Sequence, residues 1–170
     1  MGGSFAHQNR LRHLDDHWSG SGIVLTLGIP ALISAVAAAT NRLSNGDFSS
    51  NPGGWSFNGD ASILNAALRL VESADAEGNG IAASAQHVLS PAITAGSSVT
   101  ITLSTAISRP SAVRVTIGNY QMFFNAGNNQ TATFTSSVSA TTILIEATGE
   151  YAAANGGSVV YTVDDVSVFA

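Results

Sequence analysis

Beyond residue 40 the chain alternates apolar and polar positions with a period of two. Val99, Ile101 and Leu103 are separated by Thr100 and Thr102, and Val113, Val115 and Ile117 by Arg114 and Thr116. Leu68 and Leu70 flank Arg69, and Phe134 is the apolar position of Thr131–Thr135. Successive side chains of a strand point to opposite faces, so each run predicts a strand with one face in a core. Asn45-Gly46, Asn51-Pro52-Gly53-Gly54, Asn58-Gly59-Asp60 and Gly118-Asn119 punctuate the runs as turns. Residues 149–157 read as a flexible loop carrying Tyr151. About eight to ten short strands with regular turn signals indicate an all-β protein, an antiparallel β-sandwich.

Residues 1–40 follow a different pattern. A polar segment with His7, His13, His17 and Trp18 precedes the apolar run IVLTLGIPALISAVAAA. Ile23, Val24, Leu25 and Leu27 predict a strand stopped at Gly28. Pro30 suits the first turn of a short Ala-rich helix over 31–39. Three readings stay open: a signal peptide, a membrane anchor and an assembly arm. The main expectation is an arm of residues 1–40, with Trp18, Ile23, Val24, Leu25, Leu27, Ile29, Leu32 and Ile33 buried against partner chains or in a homo-oligomer, because an apolar run of this kind aggregates when exposed. Residues 41–170 are then the sandwich module. His13 and His17, four apart, would share a helix face and make half a zinc site. No third ligand accompanies them, and His87 lies in a predicted strand.

Two stretches frame the module. Near its start, Asn45-Gly46-Asp47-Phe48 and Gly54-Trp55 place two turns before two aromatic anchors. At its end, SVVYTVDDVSVF puts Val160, Thr162, Asp164, Val166 and Val168 on one face if the alternation is unbroken. Val166 and Val168 make that the core face. Asp164 is then expected to point inward, with the N–H groups of the Asn45–Phe48 turn as its partners.

These stretches, with Ala67-Leu68-Arg69-Leu70 and Gln86, resemble the carbohydrate-binding-module 4/9-like jelly rolls of the galactose-binding-like superfamily. The resemblance covers about Asn41 to Ala170. It implies a jelly-roll sandwich with its first and last strands adjacent. It also implies a possible structural calcium between those strands, with Asp47 and Asp164 as the positions carried over. Many members have Glu directly after the Phe, where this chain has Ser49. For sugar contact the expected residues are Gln86 on the sheet, and Tyr120 or Trp55 as a stacking platform. The run YQMFF puts Tyr120, Met122 and Phe124 on one side and Phe123 on the other.

Composition narrows the function. The net charge is −5, all six basic residues are Arg, and no basic patch exists to follow phosphates, which argues against nucleic acid as a partner. There is no cysteine, hence no disulfide framework or thiol chemistry. Glu72 to Gly80 reads as an acidic, Gly-containing loop, in which Asp75, Glu77 and Asn79 could offer oxygens to a cation but read better as solvated. No Ser/His/Asp or paired-carboxylate arrangement stands at motif spacing, so a non-enzymatic role is expected. The resemblance suggests, as the first expectation, a structural protein of a virus particle, a bacteriophage decoration, cement or fibre-base subunit. It would dock on capsid proteins through the arm and display the sandwich at the virion surface. The alternative is a secreted or membrane-tethered carbohydrate-binding module whose partner is a glycan.

Overall fold

The computed structural model describes residues 39–155 and 157–170. The assembly arm, its short helix and the His13/His17 pair lie outside the described residues. So do the signal and membrane readings. Among the described residues no helix is long and apolar enough to cross a membrane.

Eleven strands and one short helix are described: β1 (Trp55–Asn58), β2 (Asp60–Leu64), β3 (Ala67–Ala74), β4 (Gly80–Ile81), β5 (Ala83–Ile93), β6 (Ser98–Ile107), β7 (Val113–Ile117), β8 (Tyr120–Phe124), β9 (Gly127–Thr135), β10 (Ala140–Ala147), α1 (Glu150–Asn155) and β11 (Val159–Phe169). They form an antiparallel β-sandwich. One sheet runs β1-β5-β10-β7-β8; the other runs β2-β3-β11-β6-β9, with β4 paired to β3. The inner faces carry the alternating apolar residues read from the sequence. Val99, Ile101, Leu103, Val113, Val115, Ile117, Leu68 and Leu70 are all fully buried. Tyr120 stacks on Phe134 at 4.4 Å between ring centroids, joining the two sheets where β8 and β9 meet at an edge.

The motif at the module's start is a folded turn. Asn45 Oδ1 accepts from the Ser50 N–H at 2.9 Å, and the Asn45 carbonyl accepts from Phe48 N–H and from Trp55 Nε1–H at 3.2 and 3.1 Å. Phe48 and Trp55 lie 5.1 Å apart in the core. The turn then docks on β11: Val166 N–H donates to the Gly46 carbonyl at 2.8 Å. A Cβ on Gly46 would sit 1.9 Å from the Val166 carbonyl oxygen, so only glycine admits this approach.

Asp164 departs from expectation. The β6–β11 register shifts between Asp164 and Ser167, and Asp165 sits in the left-handed region at φ 53°. This β-bulge adds a residue, so Val163 faces inward before it and Val166 and Val168 face inward after it. Asp164 therefore leaves the core face. Its Oδ1 accepts from the Asp165 N–H at 2.8 Å, not from the Asn45–Phe48 turn.

The loop 149–157 contains α1, which the sequence reading missed. Gly149 supplies the first helical acceptor, to Ala153 N–H at 3.1 Å, but no side chain to cap. Glu72, buried on β3 at 1% exposure, reaches across instead: its Oε1 accepts from Ala152 N–H at 2.6 Å. Glu72 Oε2 accepts from the Tyr161 hydroxyl at 2.5 Å, and Tyr161 also meets Ser111 Oγ at 2.7 Å. Burial first, then the Glu72 carboxylate, pushes the Tyr161 phenol well above its ordinary value.

Candidate functional site

The registers fix which side chains share the outer face of the five-stranded sheet. Asn58, Ser84, Glu146, Arg114 and Phe123 are successive partners across β1, β5, β10, β7 and β8. Ser56, Gln86, Leu144, Thr116 and Gln121 form the adjacent row, and Val88 pairs Thr142 in the next. Their strand neighbours are the buried core residues, so these rows face away from the core. The face is a floor mostly of hydroxyls and carboxamides, interrupted by the apolar Leu144 and Val88, with one exposed aromatic ring, Phe123, at 62%.

One ion pair crosses the floor. Arg114 Nε donates to Glu146 Oε2 at 3.0 Å, with both side chains mostly covered. The Glu146 hydrogen bond holds the Arg114 guanidinium above its ordinary pKa, and Glu150 adds to the effect. Thr116 Oγ1, in the middle of the second row, is buried without a hydrogen-bond partner among the described residues. Beyond Phe123 the face ends in a hollow of about 310 Å³, walled by Pro110, Ser111, Thr148, Glu150 and Tyr151. The helix α1 supplies Glu150 and Tyr151, so the misread loop builds one wall of this corner.

The sequence-predicted residues fall in different places. Gln86 is exposed in the second row. Trp55 is 3% exposed, between Phe48 and the edge of His87, and offers no ring to a sugar. Tyr120 points to the core side of β8 and is half-buried, one ring face spent on Phe134. Phe123, on the opposite parity of the same strand, is the exposed ring. His87 is buried, with Nδ1 2.7 Å from the Val88 carbonyl and Nε2 3.4 Å from Ser44 Oγ, a packing role. The rest of the site was missed: Phe123, the Arg114–Glu146 pair, Asn58 and Ser84. Strand parity marks each as outward, but only the strand order puts them side by side.

Asp47 and Asp164 are close enough for Asp47 to raise the Asp164 pKa, after burial and Asp165. Asp47 Oδ1 accepts from Ser49 N–H and Oγ–H at 3.3 and 3.1 Å. Among the described residues no three His, Asp or Glu side chains are grouped to hold a metal ion. Two carboxylates supply at most four oxygens and calcium takes roughly six to eight, so the pair alone does not complete a calcium site. The expected outcome is a melting temperature unmoved by chelator. With chelator present, Asp164→Asn should melt higher than the parent at pH 7 by ~2 °C. A raised folded pKa means that ionisation costs stability above it, so this advantage should shrink as pH falls toward 4. If calcium instead raises the parent's melting temperature and not the variant's, the pair is a cation site.

Asp75 lies in a loop closed by Asn79, whose side chain and N–H bond both carboxylate oxygens and hold its pKa low.

No protein-family model matches the chain, and no curated protein sequence matches it. Among solved structures it is similar to the N-terminal cellulose-binding domain from Cellulomonas fimi beta-1,4-glucanase C, at 19% identity over 71% of this chain and 91% of that one, TM-score 0.49. It is similar to the CBM22-1 xylan-binding domain from Paenibacillus barcinonensis Xyn10C, at 11% identity over 78% and 95%, TM-score 0.48. A family 29 carbohydrate-binding module from Piromyces equi aligns at 16% identity over 78% and 86%, TM-score 0.38. At these values the likenesses carry no argument about a ligand.

Proposed function

We propose that residues 41–170 are a non-catalytic carbohydrate-binding module and that the outer face of the five-stranded sheet holds the glycan. The observation that carries this reading is the pair of cross-strand rows, largely hydroxyls and carboxamides with one mutually paired Arg114–Glu146 and one apolar Leu144, the first row ending at the exposed ring of Phe123. A sugar ring offers an apolar C–H face and a belt of hydroxyls. An exposed aromatic answers the first, and fixed carboxamides and hydroxyls answer the second. Gln86 sits mid-floor, where the resemblance had put a sugar contact. The particle-docking reading rests on an arm outside the described residues, and no feature of the described residues favours it over glycan binding.

The test is affinity electrophoresis against soluble β-glucan, xylan and β-galactan. The parent is expected to be retarded by at least one of them. Phe123→Ala should weaken that retardation at least tenfold, ~1.4 kcal/mol, with an unchanged melting temperature, because the ring packs in no core. Retardation that survives the loss of Phe123 would place the site elsewhere on the module.

A further inference from the structure

We propose that the corner hollow beside Phe123 is a charge-selecting subsite, which takes a pyranose without an acidic substituent and turns away uronates and sulfated sugars. This rests on the reading of the sheet face as glycan-binding.

The hollow is at the small end of the ~300–1,000 Å³ range of ligand sites, the scale of a ring or two. It shares Phe123 with the floor, so a ring stacked there also meets its walls. Its polar lining is Ser111, Thr148, the Tyr151 side chain and Glu150. Glu150 is its only charged residue. Across the two floor rows, fixed charge is confined to Arg114 and Glu146, which neutralise each other at 3.0 Å. Glu150 is near enough to act on Arg114 but makes no ion pair with it among the described residues. The balance of face and hollow is thus one positive against two negative. Arg109 lines a neighbouring hollow that shares Pro110, Ser111 and Ala112 with this one, but it does not itself line the corner.

A hydroxymethyl group entering this corner can donate to the Glu150 carboxylate. A carboxylate or sulfate in the same place meets a like charge beside low-dielectric walls, with no cation among the residues that line the corner. The discrimination is electrostatic, so it should fall with added salt.

The experiment pairs each neutral polymer with an acidic counterpart: β-glucan and β-galactan oxidised at C6 to the carboxylate, and xylan carrying glucuronic acid. The parent should bind the neutral member at least tenfold more tightly at low salt. Glu150→Gln, shown by melting to be folded, should narrow that ratio to about threefold or less. If the acidic polymer binds as well as the neutral one, while Phe123→Ala still abolishes both, this inference fails and the glycan-binding face stands. A ratio that Glu150→Gln leaves unchanged overturns the assignment to this corner. If the parent binds no polymer of either kind, both readings fall together.

Discussion

Replacing Gly46 by alanine should cost the module about 3 kcal/mol or more, a drop in melting temperature of roughly 10 °C. The added methyl would stand 1.9 Å from the Val166 carbonyl oxygen and 2.9 Å from its carbonyl carbon. These are backbone atoms and cannot swing aside. Relief requires the turn to lift off β11, which breaks the Val166 N–H to Gly46 carbonyl bond and loosens Phe48 beneath it. Gly96→Ala is the informative control. Its Cβ would meet nothing within 4 Å, but its φ is 88°. It should lose only the backbone strain of a non-glycine residue there, about 1 kcal/mol. Equal losses in urea denaturation would show that close approach is not why residue 46 is glycine.

Glu72→Ala is expected to lose a comparable amount, about 3–4 kcal/mol. A buried carboxylate is a poor investment when it can be replaced by a well-packed apolar group. Alanine does not do that here. It leaves the Ala152 N–H without its acceptor at a fully buried site, takes one of two partners from the Tyr161 hydroxyl, and opens a cavity. Glu72→Gln keeps one carbonyl acceptor but turns an N–H₂ group toward a donor, and should lose roughly half as much. The loss should extend to α1, because Glu72 is that helix's N-terminal cap. Hydrogen exchange at Ala152 and Ala153 should accelerate more than global unfolding alone predicts. A glutamine variant as stable as the parent would show that the charge contributes nothing.

The alternation at Val99–Leu103 and Val113–Ile117 was readable because each run has a strictly apolar inner face and no interruption. Glu72 carried the same signal, since it shares parity with Leu68 and Leu70; its charge led to its being read as loop. Asp164 could not be placed by parity, because the bulge at Asp165 needs no glycine and leaves no mark in the sequence. YQMFF told that its two sides differ but not which was core. That choice is made by Phe134, on the next strand but in the opposite sheet. The six residues of α1 are too few to show a helical period. The candidate site depends on β5 lying between β1 and β10, a pairing that no local stretch encodes.

The segment entering the module and the strand leaving it are pinned to each other. Asn41 pairs with Phe169, Arg42 N–H donates to the Val168 carbonyl at 2.6 Å, and the Arg42 guanidinium holds the carbonyl of Ala170. They run antiparallel, so tension applied between residues 41 and 170 loads these bonds one after another, as in opening a zip, instead of all together in shear. A module anchored by one end while gripping a polymer puts no strain on this seam. Tethered by both ends, it would begin to open there first, with the five-stranded layer and its outer face still intact.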